Sequence, residues 1–163
     1  MARTDREVGQ QTASRLSDHQ LAVWRSLIDT TAELRRLLGA RLQESGCSPA
    51  DYAVLLALHE ADGGRLRSSE LAAAIDWERS RLSHHLGRLE RRGIIRRDDC
   101  AADSRGAEVS LTDEGAALFR RAGGPHLRAI KSHFADALTD QQLAALGDAM
   151  QALRAHLSGG GLR

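Results

Sequence analysis

Residues 77–93 read WERSRLSHHLGRLERRG. Turned at about 100° per residue, the stretch gathers Leu82, Leu86 and Leu89 into one narrow apolar arc, the face an amphipathic helix gives to a core. The opposite arc holds Trp77, Glu78, Arg81, His84, His85, Arg88 and Arg92, with Ser80 at its margin. Hydrogen-bond donors and cations at i, i+3, i+4 and i+7 suit contact with nucleic acid, where the first turns reach base edges and later ones meet phosphates. Taken alone, the same face equally fits a solvated basic surface with no ligand. The surroundings must choose between them.

Upstream, Ser17-Asp-His-Gln20 has the form of a capping box. Leu21, Trp24, Ile28, Thr31, Leu34, Leu38 and Leu42 follow at helical spacing, which predicts a long first helix ending near Gly46. Ser48-Pro-Ala-Asp51 opens a second helix, with Ser48 as N-cap, Pro49 in the first turn and Asp51 near the positive end of the dipole. Arg65-Leu-Arg67 reads as a short strand. Ser68 or Ser69 is expected to cap a brief helix over 70–75, and Asp76 to cap the quoted helix, which Gly93 ends. Ile94–Arg97 and Ala107–Leu111 read as a hairpin around a polar tip. Thr112-Asp-Glu-Gly starts another helix, which Gly123-Gly-Pro125 is expected to break or kink. Thr139-Asp-Gln-Gln142 caps a last helix reaching about Leu157.

The 163 residues suffice for one domain with a real core, and 42% apolar with 28% charged residues is a globular balance. No stretch approaches the roughly 20 apolar residues of a membrane span, and the start MARTDREVGQQTASR lacks the apolar segment of a secretory signal. The expected location is therefore the cytoplasm, with no membrane partner. The net charge of +1 hides an uneven distribution. Between Arg79 and Arg97 seven arginines stand against the single acid Glu90, so the remainder of the chain is net acidic. A local cationic stripe on an acidic body favours docking in one orientation.

A short helix before a longer one, followed by a hairpin, is the plan of a winged helix-turn-helix. At this point the chain resembles the MarR family of bacterial transcriptional regulators. The residues that carry the likeness are Ser68-Ser-Glu-Leu-Ala-Ala-Ala-Ile75, the run from Ser80 to Arg97, Asp103-Ser-Arg105 and Leu111-Thr-Asp-Glu-Gly115, and the element order matches over about residues 17–157. The resemblance implies a mainly α fold with a small β-hairpin wing, placed inside an intertwined helical homodimer. Residues 17–47 would be an N-terminal dimerisation helix, 48–111 the DNA-binding lobe and 112–157 the C-terminal dimerisation helices, with 1–16 and 158–163 as flexible ends. Long apolar stripes at both ends of a small chain agree with a two-fold partner. Such a dimer presents its reading helices to half-sites about 34 Å apart on double-stranded DNA.

On this reading Ser80, Arg81 and His84 are the first choices for base contacts, with Arg81 foremost because its fork can pair with guanine. His85 meets a base or a phosphate, Arg88 a phosphate, and Arg97 belongs to the same contact set. Ser68 and Ser69 hold a phosphate through backbone N–H groups, although N-capping would account for one of them. By the resemblance, Arg105 in the wing reaches the minor groove and Asp103 braces it, while Ser104 stands where relatives often carry a second arginine. The family also binds small anionic or phenolic effectors between its dimer helices and its DNA-reading lobe. Trp24 and Tyr52 are the effector candidates here, and Trp24 serves equally as core or dimer interface. The implied function is a repressor of a palindromic operator, relieved by a small molecule.

Cys47 and Cys100 show no CxxC spacing, which argues against a disulfide framework and a zinc ribbon. Oxidant sensing through Cys100 remains an alternative, and it requires a lowered thiol pKa. His126 and His133 share a helix face, but spacing does not assemble the three or four ligands a metal needs, so no metal or cofactor is expected. A nucleophile elbow, a Gly-rich phosphate loop and an HExxH motif are all missing, and an enzyme is not expected. The rival from another class is a helical interaction module that turns the basic face toward an acidic protein.

Overall fold

A computed structural model describes residues 15–98 and 107–159. Helix α1 spans Asp18–Glu44, α2 Pro49–Glu60, α3 Ser68–Ala74, α4 Arg79–Arg91, α5 Asp113–His133 and α6 Asp140–Gly159. Strand β1 is Arg65–Arg67, β2 Ile95–Asp98 and β3 Glu108–Leu111, with 3₁₀ turns at Asp62–Gly64 and Ala135–Ala137. The chain divides after Arg36 into two compact units.

In the first unit the expected capping box is present. Ser17 N–H donates to Gln20 Oε1 at 2.8 Å and Gln20 N–H to Ser17 Oγ at 3.1 Å. The helix that follows leaves Val23, Trp24, Leu27 and Ile28 exposed.

The second unit is organised around one core. Val54, Leu55 and Leu58 from α2 meet Leu71 and Ala72 from α3, Leu82, Leu86 and Leu89 from α4, and Leu118 and Ala122 from α5. Each leucine removed from water at this level contributes about 2 kcal/mol. Ile94, Ile95 and Val109 extend the core under a three-stranded antiparallel sheet of order β1-β3-β2. Val109 stands opposite Leu66 on one side and Arg97 on the other, so β3 joins the strand before the helix pair to the strand after it. Ser48 caps α2 as its sequence predicts, accepting from Asp51 N–H at 3.0 Å while Asp51 Oδ2 accepts from Ser48 N–H at 3.2 Å.

Three expectations need correction. Asp76 does not cap α4. It adopts a left-handed φ of 52° and closes α3, its own N–H donating to Ala73 O and that of Trp77 to Ala72 O, the paired bonds of a Schellman stop. Helix α4 begins at Arg79 after Glu78, which makes no side-chain cap bond. Neither Ser68 nor Ser69 caps α3: Arg67 occupies the cap position and its N–H donates to Glu70 Oε2 at 3.0 Å. Of the break or kink expected at Pro125, the break is absent, and α5 continues as one helix through the proline. The missing bond and ring clash cost about 3 kcal/mol; Leu118 and Ala122 before the proline are buried in the core, and Ala129 after it is buried too.

Helix α6 starts at the predicted Thr139–Gln142 box, runs two residues beyond the expected Leu157 and has no buried residue, leaving Leu153 and Leu157 exposed. Among the described residues no helix is long and apolar enough to cross a membrane.

Candidate nucleic-acid interface

Leu82, Leu86 and Leu89 enter the core and turn that side of α4 inward. That orientation turns Ser80, Arg81, His84, Arg88 and Arg91 to solvent. Of the seven arginines between positions 79 and 97, three are matched by acids: Arg92 with Asp51, Arg96 with Asp98 and Arg97 with Glu90. Among the described residues no carboxylate stands within ion-pair distance of Arg79, Arg81, Arg88 or Arg91. These four put the uncompensated positive charge of the 79–97 stretch on one helix.

The sequence-predicted residues divide between this face and its supports. Arg81 lies over the Trp77 ring, its guanidinium carbon 4.1 Å from the centroid. Arg88 Nη2 approaches His85 Nδ1 at 2.7 Å. Arg97 donates through Nε to Glu90 Oε2 at 2.9 Å, which holds that carboxylate below its usual range. Ser68 is tied to the base of the wing, its N–H and its hydroxyl both donating to Ala107 O at 3.1 and 3.0 Å. With that N–H engaged, Ser68 lacks the free backbone donor on which its phosphate role rests. Ser68 and Ser69 edge a cavity of about 230 Å³ whose rim also carries Ser83, Arg79 and Arg97 over a floor of Leu82 and Leu86. Arg79 and Ser83 were missed by the helical projection, and a basic residue at the first position of α4 is the signal that could have found Arg79. Asp103, Arg105 and Cys100 lie outside the described residues.

His85 does not share the outward face assigned to it. The residue is buried, 4% exposed, and its Nε2 lies 3.0 Å from Oδ1 of the equally buried Asp51. The contact lacks the alignment of a linear hydrogen bond and acts mainly through charge and dipole. Burial holds the imidazole below its ordinary value of 6.5, with the Asp51 charge opposing the shift and Arg88 adding to it. For Asp51 burial works upward, but hydrogen bonds from Arg92 and Ser48 and the Arg92 charge outweigh it, so its carboxyl ends below 3.8. Arg92 Nη1 reaches Asp51 Oδ2 at 2.8 Å, and its Nη2 reaches Gly46 O at 3.3 Å. Two residues projected onto the basic face thus anchor α4 to the corner between α1 and α2.

Of the effector candidates, Trp24 is 55% exposed on α1. Tyr52 is half-buried, stacked on Phe119 with centroids 5.5 Å apart and tilted against His126 at 4.8 Å. Cys47 is fully buried, and burial first, then the Asp51 charge, pushes its thiol up to about 11. A protonated thiol of that kind is a poor nucleophile. Among the described residues no group of three or more His, Cys, Asp or Glu is arranged to hold a metal ion.

Residues 45–106 match the MarR family. The chain is similar to AbsC, a MarR family transcriptional regulator from Streptomyces coelicolor, at 34% identity and a TM-score of 0.82, over 89% of this chain and 98% of that one. A second Streptomyces coelicolor MarR family regulator, solved in complex with DNA, is 38% identical with a TM-score of 0.80, over 88% and 91% of the two chains. The transcriptional repressor YetL of Bacillus subtilis (strain 168) is 24% identical over 146 residues, 88% of this chain and 87% of its own length.

Proposed function

Because the chain belongs to the MarR family of transcriptional regulators, we propose that it is a sequence-specific repressor that binds a palindromic site on double-stranded DNA as a homodimer. The observation that carries this reading is the α4 face, where Arg79, Arg81, Arg88 and Arg91 have no carboxylate partner among the described residues and stand beside exposed Ser80 and His84. Arg81 takes the base-reading role, with Ser80 and His84 beside it. Arg88 and the Ser69–Arg79 edge of the small cavity take phosphates. The DNA-bound relative from Streptomyces coelicolor supports the choice of ligand.

Homodimer formation rests on two apolar surfaces. Val23, Trp24, Leu27 and Ile28 on α1 and Leu153 and Leu157 on α6 are exposed in a single chain, and a two-fold partner would remove them from water. Release by a small-molecule effector, favouring a spacing of the two reading helices that mismatches the operator, completes the reading.

Fluorescence anisotropy of the purified protein on duplexes from the region upstream of its own gene, against a scrambled duplex at two salt concentrations, tests it. Preference for one upstream duplex is expected. Equal, weak and salt-sensitive binding to all of them would instead favour a module that docks its basic face on an acidic protein.

A further inference from the structure

The DNA-reading proposal leaves unexplained why two ionisable residues sit buried beneath the basic face. His85 and Asp51 are 4% and 5% exposed, on α4 and α2 respectively. An arginine can only donate, so His85 Nδ1, 2.7 Å from Arg88 Nη2, must be the acceptor. The ring proton then lies on Nε2, toward Asp51 Oδ1 at 3.0 Å. This assigns the neutral Nε2–H tautomer. A second proton on Nδ1 would set donor against donor and cation against cation. The other ring faces are occupied too: Trp77 meets the imidazole edge-on with centroids 5.3 Å apart, and carries Arg81 on its own face. Asp51 is held in turn by Arg92 and by the Ser48 cap. Two of the arginines assigned to DNA, Arg88 and Arg81, therefore rest, directly or through Trp77, on one buried imidazole.

We propose that His85 and Asp51 are positioning residues for DNA recognition, which set the roll of α4 and aim Arg88 and the Trp77–Arg81 pair at the duplex. The proposal rests on the DNA-binding reading above and assigns sequence preference to residues that touch no DNA. The Arg88–His85 hydrogen bond and the charge–dipole contact of His85 Nε2 with Asp51 are oriented, whereas apolar contacts carry no direction, so together they add a rotational restraint to the leucine packing. Attraction between the imidazole and the phosphates is not the agent. At about pH 8 the imidazole is neutral, so replacing it by an apolar side chain leaves the attraction to phosphates as it was.

The test uses the full-length protein and a duplex that the wild type selects from a random-sequence pool, compared with a scrambled duplex at about pH 8. His85→Leu is expected to melt cooperatively and to bind the scrambled duplex within about twofold of wild type, yet to lose about tenfold in preference for the selected one. His85→Gln offers an N–H to Asp51 and an oxygen to Arg88, and is expected to restore the preference. His85→Met carries the same expectation as leucine should the branched side chain fail to fit. Wild-type preference in a folded leucine or methionine variant would overturn the proposal, as would equal loss in His85→Gln. A wild type that selects no duplex at all would overturn the DNA-reading function itself, a result distinct from either.

Discussion

The His85 imidazole stands with Nε2 3.0 Å from Oδ1 of Asp51, joining the middle of α4 to the first turn of α2 inside the core. Burial keeps the ring below 6.5, so the folded chain binds fewer protons there than the unfolded chain does. Stability from this site is complete above 6.5 and is lost as pH falls through the lower folded value. His126 is displaced in the same direction by burial. Thermal melts between about pH 8 and about pH 5 are expected to show a falling Tm in wild type and a shallower fall in His85→Gln, with His126 supplying much of the remainder. Superimposable pH profiles for the two proteins would contradict this account.

Arg81→Ala removes the fork from its place over Trp77. A loss of about 1–3 kcal/mol at one base pair, with relaxed preference there, is expected from competition binding with single-base variants of the site. A uniform loss across all variants would reassign Arg81 to a phosphate.

Asp76 accepts a left-handed φ of 52° that glycine adopts without penalty. Asp76→Gly should stabilise the chain by about 0.5–1 kcal/mol in urea unfolding. A loss of stability would mean that the aspartate side chain contributes more than its backbone costs.

Gly115 lies in the first turn of α5 against the Ile94 carbonyl, which also accepts from Thr112 N–H at 3.1 Å and from the Thr112 hydroxyl at 3.0 Å. A methyl group at 115 would overlap that oxygen. Gly115→Ala should cost about 3 kcal/mol, because backbone rather than a flexible side chain has to yield. A cost below about 0.5 kcal/mol, the range of neutral surface changes, would show that the turn relaxes freely.

Cys47, with its thiol near 11 and no exposed surface, should resist a disulfide reagent in the native state. In a Cys100→Ser variant the expected labelling is slow and follows unfolding. Rapid labelling of that variant at about pH 8 would contradict the burial of Cys47.

The leucines of α4 were legible because three identical residues at helical spacing leave one choice of inward face. His85 was not. On the same projection it lies about 40° from Leu89, at the border between the two faces, and its partner Asp51 belongs to a different helix. Sequence periodicity sees one helix at a time. Asp76 misled for a related reason: aspartate is a good N-cap and also tolerates the left-handed region, and only the paired bonds to Ala73 and Ala72 reveal which property is used. At Pro125 the local rule was sound and tertiary burial outweighed it. Gly115 appeared in the sequence as a motif letter, and its cause became visible only once Ile94 was placed beside it.

The hairpin and the helix pair are not separate pieces. Strand β3 is paired on both edges, and the chain just before it grips α3 through the Ala107 carbonyl and Ser68. Under the proposed function the described strands of the hairpin and the helix pair meet DNA as one connected piece. Part of the compliance needed to close the fit then falls to the duplex. Discrimination follows in part from how cheaply a sequence bends or narrows, including at base pairs that no side chain reaches.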